Sequence, residues 1–270
     1  MNSMSPYRGL GQFGRAYQRM LENDPHAPGS VDRVLMKNMV RLCGETAEFL
    51  YRDFTPTRVV YHAATRPKLE HCVASACANR VAGIAEFCAA LGKRATEDFD
   101  AMRVGGTEEE IIERGSNWCT DVARVGCALC QVAGFPSRLV MLADTARAYR
   151  GHVIIEVWAD GVWGAVDTSS GVVYRHANGK PASTWELMNQ PELIAAHARG
   201  KDTPYSTAAQ FHCAAIANYF VADSANFDYT VSGVNEYYRS ILTMSARGWP
   251  AGLRWLHGKD SEDHKKGSRL

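Results

Sequence analysis

Asp160-Gly161, set between the apolar runs "GHVIIEVWA" and "VWGAVD", restricts what this chain can fold into more than any other stretch. Such a dipeptide is the strongest short signal for a two-residue β-hairpin turn, because the right-handed twist of paired strands demands positive φ at both turn positions. If Asp160 and Gly161 form the loop, Ala159 faces Val162, Ile154 faces Asp167 and His152 faces Ser169. Side chains alternate along a strand, so His152 and Asp167 share one face as diagonal neighbours, roughly 7–8 Å apart at the backbone. An imidazole and a carboxylate span that gap. A slip of one residue would send them to opposite faces.

A third chemical residue lies upstream. "RGSNWCTDVARVGCALCQVAGFPSRLVML" predicts a helix from Cys119 to about Val132, with Val122, Ala123, Gly126, Cys127, Cys130 and Ala133 as its apolar face. Gly134 ends it and Pro136 prevents its return. Cys119 therefore sits where backbone N–H groups are unpaired and carry partial positive charge, which favours a thiolate. A thiolate beside an imidazolium is an activated nucleophile.

Around this core, Val31 to Tyr51 is expected to be helical. Leu69, Cys72, Val73, Cys77, Val81, Ile84, Cys88 and Leu91 recur at helical spacing and predict one buried helix ending near Gly92. Thr107 and Glu110 form a capping box for a short helix that Gly115 ends. "SRLVMLA" is a strand, and beyond Tyr174 the pattern returns to helices and loops. Helices first, then a helix feeding an antiparallel sheet, then helices again make an α+β architecture. The expected divisions are a loosely ordered segment 1–30, a catalytic domain 31–202 with its motifs in 105–175, an aromatic-rich C-terminal extension 203–258 packed on the core, and a flexible tail 259–270. Within the extension, "FDYTVSGVNEYYRSIL" is the expected substrate wall.

Several motifs together resemble the transglutaminase-like superfamily of papain-type thiol enzymes. Gly115 to Cys119 resembles the family's glycine-bearing approach to its nucleophile. "GFPSR" (134–138) resembles the end of the cysteine helix, and "GHVIIEVWADGVWGAVDTSSG" the histidine strand, turn and aspartate strand. These motifs cover roughly residues 105 to 175. The resemblance implies a papain-like core, with Cys119 as nucleophile, His152 as general base and acid, and Asp167 orienting the ring. Some members carry a tryptophan just after the cysteine; here Trp118 precedes it and Thr120 follows. Asn117 or the Trp118 indole is left as second donor to an oxyanion. The implied reaction moves an acyl group from an amide or thioester donor (small molecule, peptide or carrier-bound) to an amine through a thioester. The alternatives are a cysteine amidase or protease with the same trio, and a binding module without turnover.

The 270 residues carry a formal net charge of +1, which gives no pull toward nucleic acid or a membrane surface. No run of 18 apolar residues predicts a membrane span. The N-terminus lacks the apolar stretch of a secretory signal, so a cytoplasmic protein with reduced thiols is expected for the eight cysteines. Cys127 and Cys130 form a C-x-x-C, yet both fall mid-helix on the apolar face and read as core. His71, Cys72 and Cys77 lack zinc-ligand spacing, and no acidic loop of EF-hand type is present. Neither a metal nor a cofactor is expected. His176 and His212 read as surface or packing residues.

Overall fold

A computed structural model describes residues 39–48, 50–51, 61–95, 105–143, 151–197 and 208–219. In chain order the elements are β1 (Val40–Leu42), α1 (Gly44–Glu48), α2 (Pro67–Ser75), α3 (Val81–Gly92), α4 (Glu108–Arg114), α5 (Cys119–Val132), β2 (Ser137–Ala143), β3 (Gly151–Ala159), β4 (Val162–Asp167), β5 (Val172–Val173), α6 (Thr184–Asn189), α7 (Pro191–His197), a 3₁₀ turn (Gln210–His212) and β6 (Ala214–Asn218). The strands form one antiparallel sheet in the order β1-β6-β2-β3-β4-β5. The α+β architecture holds.

Both faces of the sheet are covered. Leu139, Met141, Val153, Ile155 and Val157 pack with α2, α3 and α5 in one core. Val140, Leu142, Ile154, Ala214 and Ile216 pack with Leu187, Ile194 and Phe211 in the other. β2 lies between β3 and β6, and all its residues are buried. α5 is enclosed from Thr120 to Gln131, and its buried polar residues Asp121, Arg124 and Gln131 each hydrogen-bond to other parts of the fold.

The hairpin register is the expected one. Ala159 pairs with Val162 and the ladder runs on to Ile155 opposite Val166. Asp160 and Gly161 both have positive φ, 55° and 79°, as a turn matched to strand twist requires. The capping box of Thr107 and Glu110 forms, and Gly115 closes α4 with φ 77°.

Three expectations are corrected. The helix over 31–51 is not what forms: within the described part, Val40–Leu42 is a strand and only Gly44–Glu48 is an α-helix. The single helix over 69–91 is two, α2 and α3, because Ala78 and Asn79 take positive φ (49° and 51°) and break the run. The apolar spacing continues across that break, since both helices bury residues in the same core. The third concerns 203–258. Its described part, residues 208–219, does not lie on the core as a helical or loop extension; it threads into the sheet as β6. "FDYTVSGVNEYYRSIL", the segment 1–30 and the tail 259–270 lie outside the described residues.

The arginine of "GFPSR" anchors the second core. Arg138 Nε donates to Glu156 Oε2 at 2.8 Å and Nη1 to the Leu50 carbonyl at 2.9 Å. Its guanidinium lies 4.9 Å from the Tyr51 ring centroid and 4.0 Å from that of Trp163. Glu156 Oε1 accepts from the Tyr51 hydroxyl at 2.6 Å and from the Thr184 N–H at 2.7 Å. Arg138 and Glu156 are 1% and 0% exposed, so neither charge is relieved by water. Glu156→Ala strands the guanidinium in the core. We expect a loss of about 3–5 kcal/mol of stability, read as a lower urea midpoint.

Candidate active site

α5 begins at one end of the sheet, beside the start of β3 and the end of β4. Its terminus is seated by buried charges. Asp121, in its first turn, accepts from the Gly105 N–H (3.1 Å to each oxygen), from Arg114 Nη2 (2.8 Å) and from the Ser116 hydroxyl (3.3 Å). Arg124, one turn on, donates to the Gly106 carbonyl (2.7 Å) and the Tyr219 hydroxyl (2.8 Å). The Tyr219 hydroxyl in turn donates to Glu108, whose other oxygen accepts from Arg66 at 2.8 Å. Burial opposes ionisation of Glu108, but Arg124 and Arg66 outweigh it and hold its carboxyl down at about 2. The segment 105–118, with α4 at its centre, is thereby tied to α5 at several points.

Gly115 brings that loop against the end of α3. A Cβ there would lie 2.8 Å from the Arg94 carbonyl carbon and 2.9 Å from the Leu91 oxygen, at a positive φ that side chains seldom adopt. Ser116 then accepts the Trp118 N–H at 3.1 Å, and α5 starts at Cys119 with no side-chain cap from Trp118. The first turn's N–H groups, that of Cys119 among them, have no carbonyl partner within the helix.

Cys119, His152 and Asp167 come together here. His152 Nε2 lies 3.1 Å from Asp167 Oδ1, and both residues are 0% exposed. The same Oδ1 accepts the Ser169 N–H at 3.1 Å. Cys119, half-buried, neighbours the ring closely enough to act on its charge. Burial alone would discharge the imidazole. The Asp167 carboxylate, its hydrogen bond and the Cys119 sulfur outweigh that and raise His152 to about 10.

The sulfur opens onto a cavity of about 380 Å³ lined by Asn117, Ser116, Val122 and Ser169 and by Ala89, Gly92 and Lys93 of α3 and its end. Asn117 lines this cavity and Trp118 does not. Lys93 and Ser169 were not anticipated from sequence; nothing local marks them, and only the close approach at Gly115 brings α3 to the site.

Burial raises Cys77 to about 11 and Cys127 to about 12, and pushes Cys72, Cys88, Cys130 and Cys213 upward as well. Cys127 and Cys130 are core residues, as expected. His176 pairs with Glu186 at 3.1 Å and His212 is exposed, both away from this cavity. Among the described residues no cluster of three or more His, Cys, Asp or Glu could hold a metal ion, and no helix is long and apolar enough to cross a membrane.

Residues 79–168 match the model of the Transglutaminase-like superfamily. The match spans α3 to the end of β4 and contains Cys119, His152 and Asp167. A solved structure described as a "Putative Cysteine Protease from Cytophaga hutchinsonii" is 19% identical over 61% of this chain, with a TM-score of 0.33. The aligned part spans half the length of that protein. Among curated proteins, none matches the chain.

The raised His152 sets a direction for stability. A ring that ionises near 6.5 when unfolded and near 10 when folded contributes fully below about pH 6.5 and loses that contribution as pH rises through 10. The Tm difference between the parent and His152→Gln should therefore be largest below pH 6.5 and shrink toward pH 10. A difference that grows with pH would contradict the charged ring.

Proposed function

We propose that the transglutaminase-like core carried by residues 79–168, whose fold is that of a thiol-enzyme superfamily, performs cysteine-dependent acyl transfer through a thioester. The observation that carries this reading is the convergence of Cys119, His152 and Asp167 at the mouth of α5. The Cys119 thiolate attacks the acyl carbon of an amide or thioester donor. The oxyanion is received by the Cys119 N–H and by a second donor, for which Asn117 is better placed than Trp118, because it lines the cavity. Each such donor is worth about 3 kcal/mol in the transition state. With Nε2 committed to Asp167, Nδ1 is the ring nitrogen left to exchange a proton with the sulfur and the reacting groups. His152 gives its proton to the departing amine or thiol, and the acyl–sulfur bond is complete. An acceptor amine then loses a proton to the ring as its nitrogen displaces the sulfur, which restores the pair.

Hydrolysis by the same trio is the second reading. It is favoured by the rim of the cavity, where Asn117, Gly92 and Lys93 are exposed and water reaches the half-buried sulfur. The acyl-enzyme is common to both.

Cys119→Ala should abolish turnover, a loss of at least about a thousandfold; near-full activity in that variant would end the proposal. Incubation with an acyl donor and a labelled amine separates the readings. Incorporated label supports transfer, free acid alone supports hydrolysis, and an intact-mass increase on Cys119 identifies the donor. At pH 6, iodoacetamide should modify Cys119 ahead of the seven other thiols; uniform labelling of the accessible ones would count against a thiolate–imidazolium pair.

A further inference from the structure

The cavity at Cys119 has an uneven charge. Its lining includes one cation, Lys93, and no carboxylate. Two acids close by, Asp167 and Asp121, are buried and already paired, with His152 and with Arg114. Lys93 is exposed at the end of α3 and forms no ion pair among the described residues. Ser169 also lines the cavity; its Oγ is buried and has no hydrogen-bond partner among the described residues, although the Ser169 N–H is committed to Asp167. The apolar part of the lining is Ala89, Cys88 and Val122.

Resting on the thiol acyl chemistry proposed above, we infer that the acyl donor bears a carboxylate, which Lys93 and the Ser169 hydroxyl receive at the end of a short apolar stem lying along Ala89 and Val122. One ammonium balances the single charge of a carboxylate, whereas a phosphate dianion would leave a charge unmatched. About 380 Å³ is at the small end of ligand pockets and suits a short acid rather than a long chain. A lysine at a helix C-terminus also complements the helix dipole. That role would alter stability and leave the preference of Cys119 for charged reagents unchanged.

The test compares iodoacetate with iodoacetamide on the full chain at pH 7, following Cys119 by peptide mass. In both reactions a sulfur–carbon bond forms and iodide leaves; the reagents differ only in carboxylate against amide. The rate ratio, iodoacetate over iodoacetamide, should be about tenfold higher at native Cys119 than in urea. Lys93→Gln and Ser169→Ala should each lower it about threefold or more, Lys93→Glu further, and Lys93→Arg should keep it. On the parent protein, raising salt from about 20 to about 500 mM should lower the ratio, a measurement that needs no variant to fold. Protection of Cys119 by acetate should exceed that by inorganic phosphate. A ratio that ignores Lys93 substitution and salt, with Cys119 still the first thiol labelled, overturns the carboxylate subsite and leaves the acyl-transfer reading standing. Slower labelling of Cys119 than of the other thiols overturns both.

Discussion

One buried pair, an imidazole and a carboxylate held 3.1 Å apart at the end of a sheet, sets the terms for everything around it. Neither group reaches water, so each is tolerable only with the other. Their meeting is fixed by strand pairing, since β3 and β4 must run in the register that the Asp160–Gly161 turn dictates. His152 shares strand parity with Ile154 and Glu156, which lie on the side of the sheet away from α5. The sulfur can therefore join the ring only where the strand ends and α5 begins.

That requirement explains the density of buried charge at the mouth of α5. A helix terminus has no intrinsic reason to stop at one place over a sheet end, and apolar packing alone tolerates sliding. Hydrogen bonds and ion pairs do not: Asp121 to Gly105 and Arg114, Arg124 to Gly106 and Tyr219, and Glu108 to Arg66 fix the terminus against three separate segments. Arg138 and Glu156 do the same for the other face. The charges are expensive singly and cheap in closed sets, so they convert a soft packing problem into a positional one.

The parts of this site that were legible in the sequence are those encoded by neighbours in the chain. Asp160-Gly161 carries its own dihedral requirement, Thr107 and Glu110 their own reciprocal hydrogen bonds, and Gly134-Phe135-Pro136 its own stop to α5. From the hairpin, the meeting of His152 and Asp167 followed by counting. What escaped the reading depends on distant partners. "AAIAN" of β6 has one β-branched residue and no alternation, and becomes a strand because β1 and β2 offer it both edges. The break at Ala78–Asn79 hides inside an unbroken apolar rhythm, and Lys93 reaches the cavity only through Gly115.

The position of β6 has a bearing on how the chain is made. Residues 214–218 bridge β1 and β2, both of which lie far earlier in the chain. As synthesis proceeds, α5 and the β2–β3–β4 ladder can form early, but β2 then waits with one edge of unpaired amides until Asn218 has left the ribosome. Tyr219, next in line, supplies the hydroxyl that Arg124 and Glu108 require. A nascent chain halted short of this point would hold the cysteine, histidine and aspartate yet lack both the missing strand and a partner for its buried charges, so the end of α5 that carries Cys119 is completed only with the last strand.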